Sequence, residues 1–210
     1  MIRVLIADDH SVVRQGLKQI LGDTHEMVVA GEAINGQDVL EKVRAETWDV
    51  VILDISMPDR SGLDILKQLR SERPKLPVLV LSMYSEDQYA MRVLKAGASG
   101  YLTKDSAPDE LVKAIRKVVS GGRYVGPFLA EKLAFEIGAD SGKLAHETLS
   151  DREFQVLRLI AAGKSVKEIA AELSLSVKTV STYRARMLEK MNLGTNAELI
   201  HYAIQNHLID

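Results

Sequence analysis

Five short runs of aliphatic and β-branched residues punctuate the first part of the chain: Ile2–Ala7, Met27–Ala30, Val50–Leu53, Val78–Leu81 and Gly100–Leu102. Between them the apolar residues recur three or four apart. The stripes are Val13, Leu17, Ile20 and Leu21, then Val39, Leu40 and Val43, then Leu63, Leu66 and Leu69, then Tyr89, Val93 and Leu94, and finally Leu111, Ile115, Val118 and Val119. Strands of about five residues alternating with helices of ten or more predict βα units around a parallel sheet. The expected fold class is therefore α/β, a doubly wound five-stranded parallel sheet over residues 1–120.

That topology makes the strand ends the place to look for function. In a doubly wound sheet, ligands bind at the carboxyl edge of the strands. The first strand leads into Asp8 and Asp9, the third into Asp54, the fourth into Ser82, and the fifth into Thr103 and Lys104. Three carboxylates brought together would repel one another unless a cation sat among them. Oxygen-only ligation with open coordination positions points to Mg2+. One carboxylate is then free to attack a phosphoryl donor and form an acyl phosphate. Lys104 would neutralise the transferred group and the Ser82 hydroxyl would bond one of its oxygens, since phosphoryl transfer rests on positioning and charge compensation. Taken singly, each Asp also reads as an acid favoured by the dipole at a helix N-terminus.

From Gly121 the pattern changes. Gly121-Gly122 ends the fifth helix, and residues 121–147 read as a linker with a short helix at Pro127–Ile137 and a turn at Gly138–Lys143. Residues 148–210 read as a second, all-α domain of four helices. Ser150 with Glu153 makes a capping box ahead of Phe154, Leu157 and Ile160, and Ala161-Ala162-Gly163 closes that helix. Ser165–Leu173, Ser176–Met191 and Asn196–Leu208 follow.

Composition narrows the function classes. The absence of Cys removes disulfides, thiolate catalysis and Cys-based zinc sites. No stretch approaches the roughly 18–20 apolar residues a membrane span requires, and the start of the chain lacks the long apolar region of a secretory signal. The expectation is a soluble, cytoplasmic protein. Residues 148–210 carry 8 Lys/Arg against 7 Asp/Glu, so charge balance alone does not mark a nucleic-acid binder. Locally, Ser176–Met191 holds Lys178, Arg184, Arg186 and Lys190 against Glu189 alone, which reads either as a phosphate-facing surface or as a solvated helix face.

Residues 1–120 resemble the receiver domain of two-component response regulators. The resemblance runs through Ala7-Asp8-Asp9-His10, Leu53-Asp54-Ile55-Ser56-Met57-Pro58, Gly62, Leu81-Ser82 and Gly97-Ala98-Ser99-Gly100-Tyr101-Leu102-Thr103-Lys104. It implies Asp54 as phosphoacceptor, with Lys104 and Ser82 assisting. Asp9, Asp54 and the Ser56 carbonyl would be Mg2+ ligands, with Asp8 acting at least partly through water. It also implies Ser82 and Tyr101 as a switch pair; from the residues alone Tyr101 reads equally as an aromatic at the edge of the core. Two departures stand out. Asp105 follows Lys104 where many receivers have a cis-proline, and the bulky Tyr84 flanks the acceptor, where it would shield the phosphoryl bond from water.

Residues 148–210 resemble the LuxR-type helix-turn-helix of the NarL/FixJ regulators, through Leu149-Ser150-Asp151-Arg152-Glu153, Lys167-Glu168-Ile169-Ala170, Ser176-Val177-Lys178-Thr179-Val180 and Leu188-Glu189-Lys190-Met191. By that resemblance Lys178 and Thr179 contact DNA phosphates, and Ser181, Thr182, Ala185 and Arg186 face base edges in the major groove. Arg184 stands where an apolar residue is common, so its stem would pack on the core while its head reaches the backbone. A small helix-turn-helix binds weakly alone, so a homodimer on two half-sites is expected. Ala197, Ile200 and Ile204 form a stripe that serves either as the dimer surface or as packing within the domain.

The function implied is a phosphorylation-dependent transcription regulator rather than an enzyme. Its partners would be a sensor histidine kinase and promoter DNA, with RNA polymerase a further contact open to such a protein. An aspartyl-nucleophile phosphatase would carry a second acid two residues after Asp54, where Ser56 stands. A phosphate-independent DNA binder would not need the complete acidic pocket, and an autoinducer sensor would need a ligand-binding domain in its place.

Overall fold

The computed structural model describes residues 1–57, 62–84, 86–126, 129–130 and 144–209, with the backbone alone at 86–88. The chain divides into two compact units, Met1–Ile137 and Gly138–Asp210. The helix and turn expected at Pro127–Ile137 and Gly138–Lys143 fall almost wholly outside the described residues, as does Pro58.

In the first unit β1 (Ile2–Ala7), α1 (Ser11–Gly22), β2 (Met27–Ala33), α2 (Gly36–Ala45), β3 (Val50–Asp54), α3 (Gly62–Glu72), β4 (Val78–Ser82), α4 (Glu86–Lys95), β5 (Gly100–Thr103) and α5 (Ala107–Val119) alternate as the spacing predicts. The five strands are parallel, in the order β2-β1-β3-β4-β5. β3 and β4 are interior strands buried along their whole length, which is why they read as continuous apolar runs. Alternation along the strands splits the core. Val4, Ile6, Ile52, Leu79, Leu81 and Leu102 pack with Leu17 and Leu21 of α1 and Leu111, Ile115 and Val118 of α5, leaving the intervening residues for the opposite face.

Register decides where the functional groups arrive. Ala7 pairs with Leu53, Asp54 with Leu81 and Ser82 with Thr103, so the strand ends reach one edge together. Four strands run further than their apolar cores suggest: β2 continues to Ala33, β3 takes in Asp54, β4 takes in Ser82 and β5 takes in Thr103. Ladder pairing to a neighbour, not hydrophobicity, sets those ends. Gly62 begins α3 hard against the turn after β3. A Cβ there would lie 2.3 Å from Ile55 Cα, so this approach requires glycine. After α5, Gly121 adopts φ +88°, and the chain turns back so that Tyr124 bridges to Gly100 at the edge of the sheet.

The second unit holds a short 3-10 turn (Ala145–Thr148) and four helices, α6 (Asp151–Ala161), α7 (Val166–Glu172), α8 (Val177–Met191) and α9 (Asn196–Gln205). Each start is written locally. Ser150 and Ser165 make full capping boxes with Glu153 and Glu168, and Ser176 and Thr195 cap the other two. α9 ends three residues earlier than its periodicity suggests. His207 takes a left-handed φ of 51°, and its backbone N–H donates to Ile204 O, which turns Leu208 back into the core. The α7–α8 turn is tight. Ser174 adopts φ 53°, and the Leu175 N–H returns to Ala170 O at 2.8 Å. The core of this unit is Phe154, Leu157 and Ile160 from α6, Ile169 from α7, Val180 and Met187 from α8, and Leu199 and Ala203 from α9.

Candidate functional site

The carboxyl edge of the sheet gathers the predicted acids. Asp54 and Asp8 are 1% exposed, so both carboxylates have left water. Lys104, carried past the end of β5, places Nζ 2.7 Å from Asp54 Oδ2 and 2.7 Å from Asp8 Oδ2. The other Asp54 oxygen, Oδ1, accepts the Ser56 N–H at 2.9 Å. Asp8 Oδ1 accepts the His10 N–H at 2.8 Å, a two-residue turn that fixes the carboxylate ahead of α1. Asp9 is partly exposed on the solvent side of the pocket.

Electrostatics at this edge are unbalanced. Burial pushes the Asp54 pKa above the ordinary carboxylate value and the Asp8 charge adds to the rise, against the attraction of Lys104 and the Ser56 N–H. For Lys104, burial disfavours the ammonium, but the Asp54 and Asp8 carboxylates outweigh it and raise its pKa. Three carboxylates face one ammonium, which leaves two negative charges in excess. The ligand atoms of Asp8, Asp9, His10 and Asp54 all lie within 4.8 Å of one another, and Asp9 Oδ1 faces His10 Nδ1 at 2.9 Å. An oxygen-rich pocket short of two positive charges fits a hard dication such as Mg2+.

The expected switch pair sits directly beside this pocket. Ser82 is fully buried and its Oγ accepts the Tyr84 N–H at 3.1 Å. Tyr101 is turned inward, fully buried, with its hydroxyl donating to Tyr84 O at 2.7 Å. Ser82 and Tyr101 thus hold the two ends of one peptide segment, and the Tyr84 ring stacks on Tyr89 with centroids 5.3 Å apart. After Lys104 the peptide bond to Asp105 is trans. The loop is tied instead by Thr103 Oγ1, which accepts the Ser106 N–H at 3.2 Å.

In the helical unit, α8 turns Val180, Met187 and Met191 inward and leaves Lys178, Ser181, Thr182, Ala185 and Arg186 exposed, with Thr179 half-buried at the cap. The Ser181 and Thr182 hydroxyls donate to the carbonyls of Val177 and Lys178 at 2.8 and 3.0 Å. Their donors are spent on the helix, and their lone pairs are the groups left to an external partner. The basic face shrinks on inspection. Lys190 pairs with buried Glu153 at 2.7 Å, and Arg184 Nε donates to Asn196 Oδ1 at 2.6 Å. Among the described residues, Lys178 and Arg186 are the cations of α8 outside such pairings. On α9, Leu199 and Ala203 face inward while Ala197 and Ile204 are exposed and Ile200 is half-buried, so the stripe read from the sequence is an outer one. Reasoning from strand ends passed over His10, although it adjoins Asp8-Asp9, and over Asn196 as the partner of Arg184.

Comparison with known proteins agrees with this geometry. Residues 4–116 match the response regulator receiver domain, and residues 147–203 match the luxR family of bacterial regulatory proteins. The chain is a NarL/FixJ-family response regulator, a receiver domain followed by a LuxR-type helix-turn-helix. It is 39% identical over 209 residues to the response regulator UvrY of Escherichia coli K12, covering 99% of this chain and 96% of that protein. It is 38% identical over 210 residues to the response regulator GacA of Pseudomonas protegens, covering 100% and 99%. Among solved structures it is similar to RcsB of Salmonella enterica serovar Typhimurium bound to promoter rprA in the presence of the phosphomimetic BeF3- (TM-score 0.65, 30% identity, 96% of this chain and 98% of that one). Another structure holds two RcsB dimers on two parallel DNAs (TM-score 0.60, 28% identity, 97% and 98%). No helix among the described residues is long and apolar enough to cross a membrane.

Proposed function

We propose that this response regulator takes a phosphoryl group on Asp54 from the phosphohistidine of a sensor histidine kinase and, so modified, binds promoter DNA as a homodimer. The observation that carries the reading is Lys104 Nζ at 2.7 Å from both Asp54 and Asp8, in a pocket still two charges short of neutral. An Asp54 carboxylate oxygen attacks phosphorus, the bond to the donor imidazole breaks, and the imidazole leaves. Lys104 takes up charge on the transferred oxygens and the Ser82 hydroxyl donates to one of them. Asp9, Asp54 and the Ser56 carbonyl would hold Mg2+, with Asp8 acting through water, and the ion would supply charge neutralisation at the phosphoryl group.

To meet the phosphoryl group, Ser82 Oγ gives up its contact with the Tyr84 N–H. That contact and the Tyr101 hydroxyl grip the same segment, so the chemistry at Asp54 is felt at Tyr101. In the proposed DNA-binding domain, residues 148–210 beyond a linker at 121–147, Lys178 and Thr179 anchor phosphates. Ser181, Thr182, Ala185 and Arg186 face base edges, and Arg184 contributes as a support held by Asn196. The outer stripe Ala197, Ile200 and Ile204 serves as the dimer surface because it is the apolar row that α9 leaves outside the core; the RcsB dimers on DNA support a dimeric state.

The test is labelling by acetyl phosphate with Mg2+, followed by measurement of promoter binding. Wild type is expected to label stoichiometrically and gain DNA affinity, and Asp54→Asn to do neither. Stoichiometric labelling of Asp54→Asn would mean the acceptor lies elsewhere.

A further inference from the structure

The amino edge of the receiver sheet, opposite the acidic pocket, holds cations that the chemistry at Asp54 does not use. Arg70, in the last turn of α3, is half-buried. Its guanidinium donates through Nε to Gly97 O, through Nη1 to Pro74 O and Leu76 O at 2.9 and 3.0 Å, and through Nη2 to Ser99 Oγ at 2.9 Å. A single N–H is left over. Every acceptor is neutral, so these bonds fix the guanidinium in place without cancelling its charge. Gly97 leaves room for it: a Cβ there would stand 3.0 Å from Arg70 Cγ.

Ser99 supplies a second unspent donor. Its Oγ accepts from Arg70 and, at 3.3 Å, from the Val78 N–H. Both lone pairs are then occupied, and among the described residues no acceptor takes the hydroxyl proton. Arg70 and Ser99 open onto a cavity of about 360 Å3, formed where the turns before β4, before β5 and after α5 meet. Lys75 and Arg123 line it too, both exposed and neither in an ion pair among the described residues. The residues around the cavity include no carboxylate. Burial disfavours the Arg70 charge and the neighbouring Arg123 charge adds to that, so its pKa is lowered. A solvated basic patch would let its cations swing apart into water, whereas here the central one is clamped.

We propose that this cavity binds a small phosphate-bearing anion, with Arg70, Ser99, Lys75 and Arg123 donating to the phosphoryl oxygens. The volume lies in the range of small-molecule sites. A lining that offers donors and positive charge matches a ligand group that only accepts, and a fixed guanidinium fork suits phosphate geometry. A phosphate monoester brings about two negative charges, enough to relieve the repulsion between Arg70 and Arg123. The site stands apart from the acceptor pocket and does not depend on Asp54.

The experiment is equilibrium dialysis of the full chain against inorganic phosphate and against ribose 5-phosphate, in chloride buffer without Mg2+. Wild type, Lys75→Gln/Arg123→Gln and Lys178→Gln/Arg186→Gln are compared; all four substitutions fall on exposed side chains and leave the clamp around Arg70 intact. Wild type is expected to bind at least one of the two probes saturably. In Lys75→Gln/Arg123→Gln that affinity should fall by about tenfold or more, the scale of losing charge-assisted hydrogen bonds. In Lys178→Gln/Arg186→Gln it should stay within about twofold of wild type. Equal losses in the two double variants, or a loss only in the second, would place the anion on α8 or on no defined site and overturn the proposal. Wild-type affinity in Lys75→Gln/Arg123→Gln, or no saturable binding of either probe to wild type, would overturn it as well.

Discussion

Asp54 in the receiver and Glu153 in the helical unit are both buried carboxylates with a lysine ammonium 2.7 Å away, yet they titrate in opposite directions. Burial raises Asp54, and its neighbour Asp8 competes for the same ammonium. Burial also pushes Glu153 up, but the bonds from Lys190 and from Ser150 outweigh it and hold the group below the ordinary value. Glu153 receives the Ser150 N–H at 2.8 Å as half of a capping box, and no second acid shares its lysine among the described residues. A buried acid that is fully matched holds two helices together. One that is left under-matched costs stability, which fits the cation and phosphoryl group proposed for Asp54.

That contrast can be broken at several points. The largest effect is expected from Lys104→Ala, which removes the one ammonium serving Asp54 and Asp8. Acetyl-phosphate labelling should slow by roughly 10²–10³-fold, the usual consequence of losing a preorganised charge partner, and a rate within about threefold of wild type would contradict the role given to Lys104. Gly62→Ala tests how tightly the acceptor turn is held. A Cβ 2.3 Å from Ile55 Cα and 3.0 Å from Asp54 O must displace backbone, so chemical denaturation should show a loss of about 2–3 kcal/mol.

Glu153→Gln should destabilise the helical unit by about 1 kcal/mol, a modest figure because Lys190 is 42% exposed and screened by solvent. The sign with pH follows from the depressed pKa. The contribution of Glu153 is fully present above its unfolded value near 4.5 and disappears as pH falls through the folded value. Thermal midpoints measured from pH 7 downward should therefore converge for wild type and Glu153→Gln in acid. The smallest effect is expected from Asp54→Asn, and it carries the opposite sign. A carboxyl whose folded pKa is raised favours folding most below its unfolded pKa and loses that advantage as pH rises through the folded value. At neutral pH with EDTA, replacing it by a neutral amide should raise the receiver midpoint slightly. A clear drop would mean that Lys104 already satisfies Asp54.

Legibility in the sequence followed the range of the interactions. The strands and helical stripes were readable because burial on a sheet or helix face imposes periods of two and 3.6 residues. Three helix starts of the second unit were read at Ser150, Ser165 and Ser176, since a cap acts within three residues, whereas the Thr195 cap of α9 came from the structure. Strand ends were less so: β2 runs on to Ala33 because it pairs with Ala7 of β1, a decision made by the neighbour. The basic face of α8 was over-read. Lys190 and Arg184 are claimed by Glu153 and Asn196, 37 and 12 residues away, and no local pattern announces either partner.

By itself the sequence determined the α/β-then-α order, the five strands, the caps, and the placing of Asp8, Asp9, Asp54, Ser82 and Lys104 just where strands end. All of these follow from short-range periodicity and from the rule that parallel strands deliver their ends to one edge. Only the tertiary structure decided how those charges share one another. Lys104 is divided between Asp54 and Asp8, Tyr101 and Ser82 hold the same segment, and the His10 ring stands 2.9 Å from Asp9. Charge balance in a buried pocket depends on ångström separations between residues some fifty positions apart, and only the folded sheet sets those separations.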